Sequence, residues 1–231
     1  MIASTKRSKP WTWVRLLRCE LNSPRLNHLA IAGVLLCVAD ACHAQIARSW
    51  NAGPGSWFVG TNWAPIGVPG PLDGVFIGNL PGIATDQVSI NAGDNVAAVS
   101  IQSGMRLSVT NGTLTVNGNS TVSGSAEDEL GFTTESTLAL GGAPGAIAYV
   151  TNDLTISDGA QAILFDGVVL RVLGTLATAE SSDLRTGNGG GVVNLLKPSG
   201  TALVNDGGIN PAPSPNGLTI NQVGAGLIDL D

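Results

Sequence analysis

The chain has 231 residues, of which 31 are Gly and 12 are Pro, while 12% are charged and 4% are aromatic. This mixture is far from that of a helical enzyme domain and favours thin layers of β-structure. All three Cys, both His and six of the 11 Lys and Arg lie before residue 45. Residues 45–231 hold five basic and 15 acidic residues, so their formal charge is 5 − 15 = −10. The composition of this part excludes thiol nucleophiles, Cys/His zinc sites, disulfides, histidine bases and a basic surface for nucleic acid.

Residues 1–44 have the pattern of a secretory signal peptide with a long basic n-region. The apolar stretch 29–39 has eleven residues. A membrane helix needs roughly 20 apolar residues, whereas a signal h-region needs about 7–15 and is followed by small residues at the cleavage site. We therefore expect cleavage between Ala44 and Gln45, with no membrane span in the mature chain. The product would be extracellular or would lie on the cell surface, associated with the outer membrane.

Two alternatives concern this leader. Cleavage after Ala41 would make Cys42 the N-terminus and suggest a lipoprotein, but Asp40 stands where a lipobox has a small uncharged residue. The long n-region is explained either by an extended signal, of the type found on large exported adhesins, or by a start codon placed too far upstream.

The segment 45–74 is rich in Trp and Pro. It contains Trp50, Trp57 and Trp63, and its four Pro exclude a regular helix. Proline cannot extend a β-ladder, so this segment is suited to cover the end of a sheet. We expect it to cap the β-structure that follows, with its indoles buried. Trp57 and Trp63 are also candidate sugar-binding residues, because exposed indoles stack on pyranose rings.

The region 75–231 is a series of short apolar runs rich in Val, Ile, Leu and Thr, separated by Gly, Asn and Asp. Such runs predict short strands. Two folds fit them. One is a parallel β-helix of about 20 residues per coil and some seven coils. The other is an antiparallel β-sandwich, which the hairpin-type dipeptides Asn111-Gly112 and Asn117-Gly118 would suit.

The scarcity of large aromatic residues for a core favours the β-helix. A sandwich needs large side chains on both inner faces, whereas a narrow coil stack is filled by rows of small aliphatic residues. After Phe76 the only aromatic residues are Phe132, Tyr149 and Phe165. The sequence still reads as a strand at its last residues, so we expect either a longer protein or a cap that the pattern does not reveal.

A longer pattern joins the capping segment to the first repeats. Its motifs are Trp50, Gly55-Ser56-Trp57, Asn62-Trp63, Val68-Pro69-Gly70, Asp73, Gly104 and the runs 75–77, 96–101, 107–109 and 112–118. This pattern, over roughly residues 50 to 125, resembles the opening of bacterial autotransporter-type passengers and PEP-CTERM-type surface proteins, in which a GxW…NW…VP…D segment precedes Gly/Thr/Val repeats. The resemblance implies a right-handed β-helix, a surface scaffolding or adhesion role, and no fixed catalytic residues.

The alternative function is a β-helical protein that binds or degrades polysaccharide. Such an enzyme uses carboxylates as acid, base or calcium ligands, with a basic partner. Asp153, Asp158 and Asp166 could converge on one face, although Asp before Gly more often supports a tight turn. The other candidate carboxylates are Glu127, Asp128, Glu129, Glu135, Glu180, Asp183 and Asp206, with Arg106, Arg171, Arg185 and Lys197 as basic partners.

The sequence as a whole predicts a non-enzymatic scaffold without metal or cofactor. The calcium-binding repeat of secreted parallel coils is missing. The Gly-rich run 187–191 is not followed by Lys-Ser/Thr, so it predicts a turn and not a phosphate loop. The expected partner is a surface, a matrix or a polysaccharide, and not nucleic acid.

Overall fold

A computed structural model describes residues 45–78, 87–127, 133–141, 146–210 and 217–230. The predictions for the leader, including cleavage after Ala44, concern residues outside these ranges, and so do Asp128 and Glu129. Apart from one short 3-10 helix, Gly60–Asn62, the regular elements in the described ranges are strands. They are β1 (Ala47–Trp50), β2 (Gly55–Ser56), β3 (Trp63–Ala64), β4 (Gly74–Ile77), β5 (Gln87–Ile90), β6 (Asp94–Val96), β7 (Ala98–Gln102), β8 (Arg106–Val109), β9 (Thr113–Val116), β10 (Ser120–Ser123), β11 (Ser125–Glu127), β12 (Thr133–Glu135), β13 (Thr137–Leu140), β14 (Ile147–Val150), β15 (Leu154–Ser157), β16 (Gln161–Leu164), β17 (Val168–Val172), β18 (Leu176–Thr178), β19 (Asp183–Thr186), β20 (Gly191–Leu195), β21 (Thr201–Asn205), β22 (Gly208–Asn210), β23 (Leu218–Gln222) and β24 (Leu227–Leu230).

The strands form a right-handed parallel β-helix of about seven turns. Three sheets run along the stack, and the chain visits them in rotation. Sheet A has the order β24-β21-β18-β15-β10-β7-β4-β1-β3, sheet B β2-β5-β8-β13-β16-β19-β22, and sheet C β23-β20-β17-β14-β9-β6. Each coil therefore has three corners, which we name A–B, B–C and C–A after the sheets that they join.

The parallel fold predicted from the supply of core residues is confirmed, and the antiparallel sandwich is wrong. Among the described strands, only β1–β3 and β11–β12 pair antiparallel. Asn111-Gly112 and Asn117-Gly118 lie at corners between different sheets and not in hairpins, because the next strand continues around the coil and does not turn back.

The core consists of inward-facing side chains stacked in register from coil to coil. Alternate residues of each strand face inward, so successive coils place equivalent positions directly above one another. Nearly all of these side chains are at most 5% exposed. One such column in sheet B contains Val88, Leu107, Leu138, Ala162 and Leu184.

Tight corners rely on left-handed backbone conformations. Asp158-Gly159 at the A–B corner and Asp166-Gly167 at the B–C corner both have two consecutive positive φ angles. Gly adopts these without steric cost, and Asp tolerates them better than most residues. The prediction that these Asp-Gly pairs support turns is therefore confirmed.

Outside the core, polar side chains of successive coils bond to one another. Asn221 donates to the Asn194 amide oxygen over 3.1 Å, and the Thr121 hydroxyl donates to the Ser100 hydroxyl over 3.1 Å. Both pairs are in register across neighbouring strands. These polar side chains on the exterior add coil-to-coil contacts to the apolar ones inside.

The described residues contain no helix long and apolar enough to cross a membrane.

Ser120 is a polar residue at an inward position. Ser120 is 5% exposed and stacks between Val99 and Leu154. Its hydroxyl makes no hydrogen bond within the described part of the chain. It also lines a small apolar cavity of about 10 Å³.

We predict that Ser120→Val stabilises the fold. The change removes a buried hydroxyl that has no partner and adds apolar volume beside a cavity, which together should raise the free energy of unfolding by about 1 kcal/mol. Urea unfolding measures it. The control Thr219→Val, at an exposed position on β23, should stay within about 0.5 kcal/mol of the parent. A less stable Ser120→Val protein would contradict the prediction.

Candidate functional site

The three Trp of the capping segment form one buried cluster. Trp63 packs edge-to-face against both of the others, with ring centroids 5.0 Å from Trp50 and 4.8 Å from Trp57. All three are at most 1% exposed. Strand β3 carries Trp63 back antiparallel to β1 and pairs it with Trp50 at the edge of sheet A.

This burial bears directly on the sugar-binding candidates. Trp57 is 0% and Trp63 1% exposed, so neither indole presents a face on which a pyranose could stack. The capping interpretation requires such burial. Their polar atoms are also engaged, since the Trp63 Nε1–H donates to the Trp57 carbonyl over 2.8 Å.

Asp94 links the cap to the coil stack. It lies on β6, the terminal strand of sheet C, in register with the inward residue Leu114 of β9. At that point the Trp57 Nε1–H donates to its carboxylate. Burial raises the pKa of Asp94, and hydrogen bonds from the Asn95 amide and from Trp57 oppose that shift only in part.

A second carboxylate fixes the outer part of the cap. Arg48 Nε donates to Asp73 Oδ2 over 2.5 Å, and the Gly70 N–H donates to the same oxygen over 2.9 Å. Burial alone would raise the pKa of Asp73, but the hydrogen bonds and the Arg48 charge outweigh burial and hold that pKa below its usual value. Asp73 is therefore a structural anion that ties β1 to the start of β4.

We predict that Asp94→Asn gains stability relative to the parent as pH rises. Because the pKa of Asp94 is raised on folding, its protonated carboxyl group favours the fold at pH values below the unfolded pKa, and this contribution is lost as pH rises through the folded pKa. The amide has no such loss. The change in the free energy of unfolding between pH 4 and pH 7 should therefore differ between the two proteins. Urea unfolding curves at the two pH values measure it. Asp206→Asn removes the same charge from an exposed position and controls for net charge. Parallel pH dependences of Asp94→Asn and parent would refute the assignment.

The proposed convergence of three carboxylates is wrong. Asp153 lies at the C–A corner, Asp158 at the A–B corner and Asp166 at the B–C corner of one coil. The three corners face different directions, so these side chains cannot act on one ligand.

Several of the candidate charged residues have structural partners. Asp153 Oδ1 accepts the Thr175 N–H over 2.7 Å, one coil further on. Asp183 accepts from Arg185 Nε over 3.0 Å and from the Asn210 amide over 2.6 Å. Of the basic candidates, Lys197 donates to the Thr175 hydroxyl over 2.5 Å. The remaining candidates Glu127, Glu180, Asp206 and Arg171 are exposed.

One polar cleft does bring candidate residues together. It lies between the outer face of sheet B and the β11–β12 hairpin, and its volume is about 410 Å³. We name it the hairpin cleft. It is lined by Gln87, Gly104, Arg106, Thr133, Thr134, Glu135, Thr137 and Gln161.

The floor of the hairpin cleft follows from strand register. Gln87, Arg106, Thr137 and Gln161 occupy the same position on four neighbouring strands of sheet B. Within this row Gln161 donates to the Thr137 hydroxyl over 3.3 Å, and Thr137 donates to the Glu135 carbonyl over 3.1 Å.

The wall of the cleft is the hairpin, which is inserted at the A–B corner between β10 and β13. Its base is held by Ser136, which is fully buried and accepts the Gly104 N–H over 3.0 Å. Gly104 has a φ of +76°, and a Cβ there would come within 2.9 Å of both the Ala126 Cβ and the Thr134 carbonyl oxygen. Only Gly lets the hairpin approach the coil this closely.

The cleft has polar groups without protein partners. Arg106 donates to the Ser108 hydroxyl through Nε over 3.2 Å, while its two terminal nitrogens make no hydrogen bond to described residues. The Glu135 carboxylate likewise makes none with the described part of the chain, and the two residues form no ion pair with each other. Gln161 Oε1 is buried and unpaired as well.

Sequence reasoning named Arg106 and Glu135 separately but missed Gln87, Thr133, Thr134, Thr137 and Gln161. No local pattern marks these neutral residues, because their proximity arises from the coil length and from the inserted hairpin. Within the described ranges, no group of three or more His, Cys, Asp or Glu could hold a metal ion.

Comparisons with protein-family models, with curated proteins and with solved structures found no match to this chain.

We predict that Ser136→Ala loosens the hairpin. The change leaves the buried Gly104 N–H without an acceptor, which should lower the free energy of unfolding by about 1–3 kcal/mol. Hydrogen exchange measured residue by residue should show faster exchange at Gly104 than in the parent. Ser125→Ala, on the exposed side of β11, is the control and should change neither quantity. Unchanged exchange at Gly104 in Ser136→Ala would disprove the role of this hydroxyl.

Proposed function

We propose that this chain is an exported, non-enzymatic surface scaffold of adhesin type, similar in role to the passengers of bacterial autotransporters. The observation that carries the proposal is the stack itself. About seven coils enclose an apolar interior, and polar side chains of successive coils bond to one another on the outside. Repeat stacks of this kind supply extended binding surface without needing a deep pocket.

The placement of the carboxylates supports a non-enzymatic role. Acid–base hydrolysis of a glycosidic bond needs two carboxyl groups about 5–9.5 Å apart on either side of the bond. In this chain Asp73, Asp94, Asp153 and Asp183 accept hydrogen bonds that hold the cap, the corners and the sheet faces. Among the residues that the structure describes, the hairpin cleft is lined by one carboxylate, Glu135.

The proposed location rests on the leader. A basic n-region, an apolar stretch of eleven residues and small residues before Gln45 are the parts of a signal peptide. A fold without cysteine in residues 45–231 also needs no disulfide formation after export.

Export is tested by producing the full chain in a Gram-negative bacterium. We predict that mass spectrometry finds a product beginning at Gln45 and that fractionation finds it outside the inner membrane. Val34→Arg places a charge in the apolar stretch 29–39 and should retain the uncut chain in the cytoplasm. If the parent chain also stays uncut in the cytoplasm, the proposed location is wrong.

The non-enzymatic role has its own test. The exported protein, incubated with a panel of neutral and acidic polysaccharides, should generate neither new reducing ends nor unsaturated products. Turnover that persists through purification and that Glu135→Gln abolishes would instead establish an enzyme.

A further inference from the structure

We propose that the hairpin cleft is a binding site for a neutral polysaccharide, with Arg106 and Glu135 as its principal contacts. This inference rests on the proposed function, since it gives the exported scaffold a ligand. It assigns the ligand a place on the molecule, the A–B edge of sheet B beside the β11–β12 hairpin.

The chemistry of the lining points to a ligand rich in hydroxyl groups. A saccharide hydroxyl both donates and accepts, so its site needs donors and acceptors side by side. The Arg106 terminal nitrogens donate only, and the Glu135 carboxylate accepts only. Thr133 and Thr134 add hydroxyls that can do either. Hydrogen bonds to charged groups are roughly twice as strong as bonds between neutral groups.

The Arg106 terminal nitrogens and the Glu135 carboxylate remain available because they make no hydrogen bond to the described residues. Arg106 and Glu135 are both half-buried and line the same cleft, yet they form no ion pair with each other. Elsewhere in the described chain, Arg48 is paired with Asp73 and Arg185 with Asp183. The register of sheet B positions Arg106 and the Ser136 anchor positions Glu135, so that a ligand in the cleft can contact both.

Charge selects the neutral class of polysaccharide. The described lining holds one Arg and one Glu, whose formal charges cancel, so these residues together do not attract an anion. The surrounding protein carries five basic and 15 acidic residues in 45–231, which repels polyanions at low ionic strength. An uncharged glycan meets no such repulsion.

The dimensions fit a short segment of a longer chain. The volume of about 410 Å³ lies at the lower end of the usual range for ligand sites, which is about 300–1,000 Å³. The row from Gln87 to Gln161 crosses four strands along the stack. A linear glycan could therefore run parallel to the axis of the β-helix, with its hydroxyls against this row.

Affinity electrophoresis tests the proposal, because it detects weak binding. The full chain, exported and purified, is run through native gels that contain dextran, mannan or a mixed-linkage β-glucan, and through gels that contain polygalacturonate or heparin. We expect at least one neutral polysaccharide to retard the protein and neither polyanion to do so. Arg106→Gln and Glu135→Gln should each weaken the retardation by about tenfold in apparent Kd, which corresponds to about 1.4 kcal/mol.

Matched variants control for the change of charge and for a failure to fold. Arg171→Gln and Glu180→Gln make the same changes at exposed positions outside the cleft and should bind as the parent does. Thr133→Trp fills the cleft from an exposed hairpin position, so it should fold and lose binding even if an Arg106 variant does not fold.

Three outcomes would overturn the proposal: no retardation by any neutral polysaccharide, retardation by the polyanions instead, or neutral binding that survives all three cleft variants. None of these would affect the export result, so failure of the cleft proposal and failure of the proposed function can be told apart.

Discussion

The structure depends on the coil-to-coil register of its inward side chains. Because side chains alternate along a strand, a slip of one residue would turn every apolar side chain of that strand outward. In this chain, columns such as Leu107, Leu138 and Ala162 keep their alignment from β8 to β16, although the chain between β10 and β13 makes a detour through the hairpin. From β8 to β16 the variation in coil length is thus confined to the A–B corner, whereas β21 carries an irregularity within the strand, between Thr201 and Leu203.

The same constraint explains the cap. A column of aliphatic residues must end somewhere, and its last member would otherwise face water. Here the sheet C column ends at Asp94, whose carboxylate accepts from the Trp57 indole, while Trp50 and Trp63 cover the neighbouring apolar surface. The indoles provide area and the carboxylate provides an acceptor for a buried donor. Strand β3 then lies antiparallel along the edge of sheet A, where a further parallel strand would otherwise pair.

Much of this architecture is predictable from sequence because it is local. Short runs of Val, Ile and Leu predict the strands, Asp158-Gly159 and Asp166-Gly167 predict tight turns, and the clustered Trp predict a cap. The hairpin cleft is not local. Arg106 and Glu135 are brought together by the register of sheet B and by the close approach of the hairpin at Gly104. For the same reason, spacing alone suggested a convergence of Asp153, Asp158 and Asp166 that the three corners prevent.

The β11–β12 hairpin at the A–B corner shows that this fold tolerates an insertion between two strands of a coil. A complete hairpin leaves the coil after β10, and the chain re-enters at β13 in register with β8. The polypeptide is anchored on both sides of the insertion by the Ser136 N–H bond to the Gly124 carbonyl, over 2.9 Å. Excursions of other lengths and compositions could begin and end at the same two points. In such a molecule, the specificity of recognition can diversify at a corner while the barrier to unfolding stays in the stack.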